Sequence, residues 1–229
     1  MDNNFRYEIK FVLNEMSLSK FLSWAYLNTS LRITYPERKV NSLYFDDTNY
    51  SSVRDNLAGI TDRLKTRLRW YGVGEGQKIG IPLLEQKIKN GRMGKKISIP
   101  IYNLEETLLG YNFASIIDNI KEELPSNHLA SKEYLIPALY VSYLRQYYED
   151  SNGLRVTIDN NIKFKGQLTL NESLEDLEQV SYKGVIVEFK FEPPIKNYVA
   201  ELIRSLNLTP VRSSKYLTGL AMYSQAVYF

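Results

Sequence analysis

Cysteine is missing from this 229-residue chain, and histidine occurs once, at His128. Disulfides and thiolate metal centres are thereby excluded and no histidine cluster can form, so any metal must be held by oxygen. There is no run of about 18 apolar residues, so no segment reads as a membrane-spanning helix. The opening Met1-Asp2-Asn3-Asn4-Phe5-Arg6 lacks the apolar core of a secretory signal, and a cytoplasmic location with no membrane segment in the chain is expected. A large excess of one charge is missing too. The 29 Lys and Arg face 26 Asp and Glu, a balance that does not announce a nucleic-acid partner, and none is expected. No repeat, low-complexity tract or linker divides the sequence, so one domain over residues 1–229 is expected.

What is present is tyrosine, 18 of them, and alternation. Tyrosine suits strands and offers a hydroxyl to a polar cavity while its ring packs. Alternating segments at Arg6–Leu13, Val40–Phe45, Asp62–Tyr71, Ile79–Lys89, Lys95–Ile99, Ala138–Tyr148, Leu154–Asp159 and Gly184–Glu192 predict eight strands. Asn90-Gly91 and Asn152-Gly153 each separate two such runs, as the favoured two-residue hairpin turn does, which makes the pairing antiparallel. Helical spacing predicts helices over Ser17–Asn28 with Ser17 as N-cap, Thr48–Leu57 ended by Gly59, Leu104–His128, Ile195–Leu206, and the tail from Ser214. The expected fold class is α+β: a closed eight-stranded antiparallel β-barrel with helices packed outside.

In Asp62–Tyr71, Arg63, Lys65, Arg67, Arg69 and Tyr71 fall on one face and Leu64, Leu68 and Trp70 on the other, because side chains alternate along a strand. Four like charges in a row repel unless water screens them or an anion neutralises them. One such strand is equally well a solvated outer face. Repetition shifts the balance. Glu85, Lys87 and Lys89 share a face, as do Tyr143 and Arg145, then Arg155, Thr157 and Asp159, then Glu188, Lys190 and Glu192, with mostly apolar residues between them. If the apolar faces pack against helices, the charged faces line the barrel. Arginine forks and lysine point charges spread over several strands suit a chain of phosphates.

Glu188 shares its face with Lys190 inside the apolar run Val185–Phe191. A carboxylate there suggests a hard divalent metal bridging to phosphate, the plainer alternative being a carboxylate that balances a cation. Glu8, on the Arg6, Glu8, Lys10 face, is the second metal candidate. Arg212-Ser213-Ser214-Lys215 opens a helical pattern, where free N–H groups attract anions; the plainer alternative is a serine cap. Gly72-Val73-Gly74-Glu75-Gly76 opens no helix and is a loop, not a phosphate cradle. His128 has no evident Ser or Asp partner, and no nucleophile triad is detectable.

Taken in order, Arg6-Tyr7-Glu8-Ile9-Lys10-Phe11, Asn41-Ser42-Leu43-Tyr44-Phe45-Asp46, Arg67-Leu68-Arg69-Trp70-Tyr71-Gly72, Glu85-Gln86-Lys87, Tyr143-Leu144-Arg145, Glu188-Phe189-Lys190 and Ser214-Lys215 resemble a known family. It is the catalytic domain of the vacuolar transporter chaperone (VTC) family, a polyphosphate polymerase of the CYTH-like triphosphate tunnel metalloenzyme superfamily. The resemblance runs from Phe5 to about Leu220 and implies a tunnel. Arg67, Arg69, Lys87, Arg145 and Lys190 would be its catalytic cations. Lys10, Tyr143, Arg155, Arg212, Ser214 and Lys215 would bind phosphate, and one of Arg92, Lys95 or Lys96 would add to them. Glu188 would hold a catalytic Mn²⁺ or Mg²⁺, and ATP and inorganic polyphosphate would be the partners.

Two departures bear on this. Fungal members carry a sensing domain and membrane helices not found in this chain, which leaves regulation and a membrane-protein partner open. Superfamily members that hydrolyse triphosphate or cyclise ATP carry Glu-x-Glu-x-Lys in the first strand, and Arg6 stands at the first acidic position here. That disfavours a two-metal triphosphatase. Triphosphate hydrolysis in the same pocket and polyphosphate binding without turnover are the alternatives.

Overall fold

Alternation of apolar and charged residues makes each strand two-faced, and the fold follows from burying the apolar faces under helices. The computed structural model describes residues 6–61, 63–72, 80–90, 93–105, 108–125, 135–175 and 177–223. Its strands are β1 (Tyr7–Leu13), β2 (Arg32–Asp46), β3 (Arg63–Gly72), β4 (Leu83–Asn90), β5 (Met93–Pro100), β6 (Ile136–Glu149), β7 (Arg155–Gly166), β8 (Val180–Ser181) and β9 (Val185–Phe191). Its helices are α1 (Glu15–Asn28), α2 (Ser51–Leu57), α3 (Phe113–Glu123), α4 (Lys196–Leu206) and α5 (Lys215–Tyr223).

The strands form a nine-stranded sheet in the order β1-β9-β7-β6-β2-β3-β4-β5, with β8 beside β7. The α+β class holds, and the antiparallel pairing is seen in the registers of β1 with β9, β2 with β3, β3 with β4, β4 with β5 and β7 with β9. The expected closed eight-stranded barrel is corrected on two counts. The two-residue β8 is a ninth strand, and among the described residues the hydrogen-bonded order is a path that ends at β1 and β5. Closure depends on accumulated twist and stagger, which no local pattern encodes.

Contacts divide the chain into two compact units. The first comprises Met1–Arg38, Tyr143–Ile162 and Ser181–Ser214. Its core is the apolar face of β1, β7 and β9 (Phe11, Leu13, Val156, Ile158, Val187, Phe189) under α1 (Phe21, Ala25) and α4 (Val199, Leu202, Leu206). Each large apolar side chain buried this way contributes about 1.5–3 kcal/mol. The α1 start differs from expectation. Asn14 is its N-cap and accepts the Ser17 N–H at 2.8 Å through Oδ1, so Ser17 lies inside the helix.

The second unit comprises Lys39–Ser142, Lys163–Val180 and Lys215–Phe229. Leu43, Phe45, Leu68, Trp70 and Leu84 from β2, β3 and β4 pack with Phe113, Ile116, Ile117 and Ile120 of α3. Helix α5 lies close to the strands through Gly219, where a Cβ would come within 2.6 Å of the Leu139 and Phe164 side chains.

Other expectations need correction. The single helix over Leu104–His128 is a 3₁₀ turn at Tyr102–Leu104 and then α3, which begins where Asn112 caps the Ser115 N–H at 2.9 Å. Strand β2 begins at Arg32 rather than Val40, through a stretch exposed up to Lys39 that carries Pro36 and shows no apolar alternation. The Asn152-Gly153 turn has three residues, not two. The Asp150 N–H pairs with the Leu154 carbonyl, the Gly153 N–H returns to the Asp150 carbonyl, and Gly153 takes φ +88°, a type I turn with a left-handed third residue. Asp62, Ile79, Gly91, Arg92 and His128 lie outside the described residues. Among the described residues no helix is long and apolar enough to cross a membrane.

Candidate functional site

The sequence suggests one cationic row, and the structure sorts its members between the two units. In the first unit, Val187 and Phe189 belong to the core, so alternation turns Glu188 and Lys190 to the opposite face. Register places Lys10, Glu188 and Thr157 in one cross-strand row and Glu8, Lys190 and Arg155 in the next. Acids and bases therefore alternate in both directions between β1 and β9, whereas on β7 the cation Arg155 stands beside Lys190 and the neutral Thr157 beside Glu188. Lys10 Nζ lies 2.8 Å from Glu8 Oε1, and Lys190 Nζ lies 3.1 Å from Glu188 Oε1. Lys10 Nζ also donates to the Ser213 carbonyl at 3.4 Å, and the Val211 N–H donates to the Lys10 carbonyl at 2.8 Å. Arg212 is thus carried alongside β1, with its own side chain exposed.

Arg145 is committed to an internal partner. Its Nε and Nη2 donate to Asp159 Oδ1 and Oδ2 at 2.5 and 2.7 Å, and Asp159 is fully buried. The Tyr143 ring centroid lies 5.2 Å from the guanidinium carbon. Burial works against the Arg145 charge, but Tyr143, Asp159 and Glu188 outweigh it and hold its pKa well above the usual value. Arg6 stands 3.9 Å from Glu192, and with Arg155 and Glu149 these two line a cleft of about 350 Å³ at the end of the charged face.

In the second unit the cationic row of β3 meets one carboxylate, Glu85 of β4, which is 4% exposed. Arg67 donates to Glu85 Oε2 through Nε at 2.8 Å and Nη2 at 2.6 Å, and through Nη1 to the Tyr44 hydroxyl at 3.0 Å. Arg69 Nη1 stands 3.6 Å from the same Oε2, and Lys96 closes on Oε1. Arg69 is itself buried, and its Nε has no hydrogen-bond partner. Lys87 is exposed, and in register it pairs with Lys65 and Lys96. Lys215 opens α5 beside Tyr216, whose ring stacks on Tyr44 at 5.0 Å.

Burial pushes the Glu85 carboxyl up, but Arg67, Arg69 and Lys96 outweigh it and bring it down to about 2 from an ordinary 4.5. The stabilisation this represents, on the order of 3 kcal/mol, is complete above pH 4.5 and is lost as the pH falls toward 2. The stability of a Glu85→Gln variant is therefore expected to vary less with pH than that of the wild type across this interval, measured by urea unfolding at each pH. Equal pH slopes would remove Glu85 from this role.

The chosen residues are thus brought together as two sets. Glu8, Lys10, Tyr143, Arg145, Arg155, Glu188, Lys190, Arg212 and Ser214 are in the first unit, and Arg67, Arg69, Lys87 and Lys215 in the second. Of the three loosely placed cations, Lys96 is drawn into the Glu85 cluster, and Arg92 lies outside the described residues. Sequence reasoning passed over Tyr44, Glu85 and Asp159 as site residues. All three belong to the alternating segments, and the signal for Glu85 was its place on the face of Lys87 opposite the arginine row.

Among the described residues no three carboxylates or histidines stand close enough to form a metal cage. The donors beside Glu188 suit a different arrangement. Thr157 Oγ1, across the register from Glu188, is buried without a hydrogen-bond partner. One buried carboxylate and a spare hydroxyl fit a hard divalent ion held mostly by substrate phosphates and water. Glu8 is more exposed and is held by Lys10.

The sequence profile of the VTC domain matches residues 5–224. No curated protein sequence matches significantly. The fold is similar to that of the PH1819 protein of Pyrococcus horikoshii OT3, with a TM-score of 0.53 at 14% identity, covering 96% of this chain and 100% of the other. It is also similar to PH1012 of the same organism (0.51, 12% identity, 93% and 98% covered) and to a putative adenylate cyclase of Vibrio parahaemolyticus (0.50, 12%, 94% and 98%). At these identities the likeness is one of fold.

Proposed function

The chain belongs to the VTC domain family, and from that premise we propose that residues 1–229 act as one phosphotransferase domain. It moves the γ-phosphoryl group of ATP onto the end of an inorganic polyphosphate chain. The observation that carries this reading is the state of the carboxylates. Among the described residues of the first unit's charged face, Glu8, Asp159, Glu188 and Glu192 each lie against a cation. None of these four is placed as a free base for water, Glu149 lying apart in the cleft at the end of the face, whereas a terminal phosphate is already ionised near neutral pH and needs none. Phosphoryl transfer asks mainly for positioning and charge neutralisation.

In the reaction, a terminal polyphosphate oxygen attacks the γ-phosphorus, a new P–O bond forms, the bond to the β–γ bridging oxygen breaks, and ADP leaves with the electron pair. Arg67 and Arg69 neutralise the transferring group. Lys10, Lys87, Arg145, Arg155, Lys190, Arg212 and Lys215 neutralise the rest of the chain, and Tyr143 and Ser214 add hydrogen bonds. Arg145 has Nε and Nη2 of its fork taken by the buried Asp159, so it serves as a fixed positive wall. Glu188 would hold Mn²⁺ or Mg²⁺, which when bound would neutralise phosphate charge.

A second reading is hydrolysis of triphosphate in the same site, favoured by Glu8 and Lys10, which keep two of the three Glu-x-Glu-x-Lys positions. Incubation of the purified protein with ATP and Mn²⁺ separates the readings. ADP and long acid-insoluble polyphosphate are expected. Orthophosphate without polymer would replace polymerase by triphosphatase, and intact ATP with every divalent metal tried would leave a polyphosphate-binding module.

A further inference from the structure

Resting on that reading, we propose that Tyr44 is a further substrate-contacting residue, whose hydroxyl donates a hydrogen bond to a phosphate oxygen of the bound polyphosphate or nucleotide, beside Arg67 and Arg69. Tyr44 on β2 is the register partner of Arg67 on β3, so both project from the same face. Arg67 Nη1 donates to the phenol oxygen at 3.0 Å, and the guanidinium carbon lies 5.7 Å from the ring centroid. With Arg67 supplying that proton, the phenol's own proton is directed elsewhere. Among the described residues no acceptor takes it.

A second observation points to an anion at the same place. Arg69 is 8% exposed, and its Nε is a buried donor without a partner. An unsatisfied buried donor is costly, so Arg69 Nε beside a phenol whose proton no described acceptor takes marks a position that an acceptor completes. Beside Arg67, Arg69 and Lys215 a negatively charged acceptor is favoured over a neutral one, and phosphate oxygens fit.

The hydroxyl is also fixed before any ligand arrives. The Tyr44 ring stacks on Tyr216 with centroids 5.0 Å apart at 20°. Tyr216 in turn donates to Asp46 Oδ2 at 2.6 Å, an atom that also accepts from Ser52 Oγ at 2.6 Å. The charged groups around Tyr44 are Arg67 and Arg69 from β3 and Lys215 from α5, with Glu85 of β4 reached through Arg67 and Asp46 of its own strand occupied by Tyr216. Burial pushes the phenol up, but Arg67, Arg69 and Lys215 outweigh it and bring it to about 8. A phenol of that acidity is a strong donor at neutral pH. Above about pH 8 it becomes a phenolate that repels phosphate.

The test is calorimetric binding of inorganic tripolyphosphate to the full chain and to Tyr44→Phe, from about pH 6.5 to about pH 9.5. Phenylalanine keeps the ring stack, and a circular dichroism spectrum matching wild type confirms the fold. At pH 7 the variant is expected to bind about tenfold more weakly, the worth of one hydrogen bond to a charged acceptor. As pH rises through about 8 the wild type should lose this advantage and the two curves converge. Placing 2,3-difluorotyrosine at position 44 should move the convergence to lower pH. Equal affinity at pH 7 would overturn the proposal. A gap that stays constant with pH would overturn it too, since it would mean that Tyr44 only steadies Arg67. Failure of the wild type to bind tripolyphosphate at any pH would instead overturn the functional reading on which the proposal rests.

Discussion

Replacing Glu188 by glutamine is expected to lower metal-dependent turnover about 10²–10³-fold while leaving the fold intact. The side chain is 5% exposed, sits between Lys10 and Thr157 in register, and pairs with Lys190 at 3.1 Å. Glutamine keeps its shape and can still accept from Lys190, so packing is preserved and only the charge is removed. Loss of one preorganised electrostatic contact in a phosphoryl-transfer site costs rates of this order. The companion measurement is tripolyphosphate affinity without metal, which should hold or tighten because a negative charge has gone. Turnover at the wild-type rate across a Mn²⁺ titration would show that Glu188 only balances Lys190.

The second large effect is on stability. Asp159→Asn is expected to destabilise the protein by about 3–5 kcal/mol, because it strands the buried Arg145 guanidinium without its counter-charge. Asp159 is fully buried and receives both Arg145 donors at 2.5 and 2.7 Å. For a chain of this size the loss corresponds to a fall in Tm of roughly 10 °C. Tripolyphosphate should raise the melting temperature of the variant more than that of the wild type, since a phosphate can replace the missing acceptor. A variant that melts within a degree or two of wild type would mean that Arg145 finds water instead of Asp159.

Much of this arrangement could be read in the residues. The alternation in β9 separated Glu188 and Lys190 from Val187 and Phe189, and these do lie on opposite faces with the apolar set in the core. Of the β3 row, Arg67 and Arg69 reach Glu85, an ion-pair contact that the alternation by itself does not give. Glu85 itself was not chosen, because period-two spacing names a residue's face and not which neighbour it meets across the ladder. Asn14 escaped as the α1 cap because capping depends on backbone conformation at one residue, and Ser17 three positions on has the same chemistry. The helix expected over Leu104–His128 failed because apolar spacing continues through residues that are buried without being α-helical, Leu104 and Leu108 among them.

From the residues alone it follows that the strands carry one apolar and one charged face, that the apolar faces need helices over them, and that the charged faces carry cations. These follow from side-chain chemistry and the two-residue repeat of a strand, both local. The fold, not the local pattern, sets the nine-stranded path that among the described residues ends at β1 and β5. It also sets the pairing of Arg145 with Asp159 and leaves Arg69 Nε without a partner. Which atom meets which depends on register and on strands distant in sequence, and that pairing energy is set by geometry, not by composition.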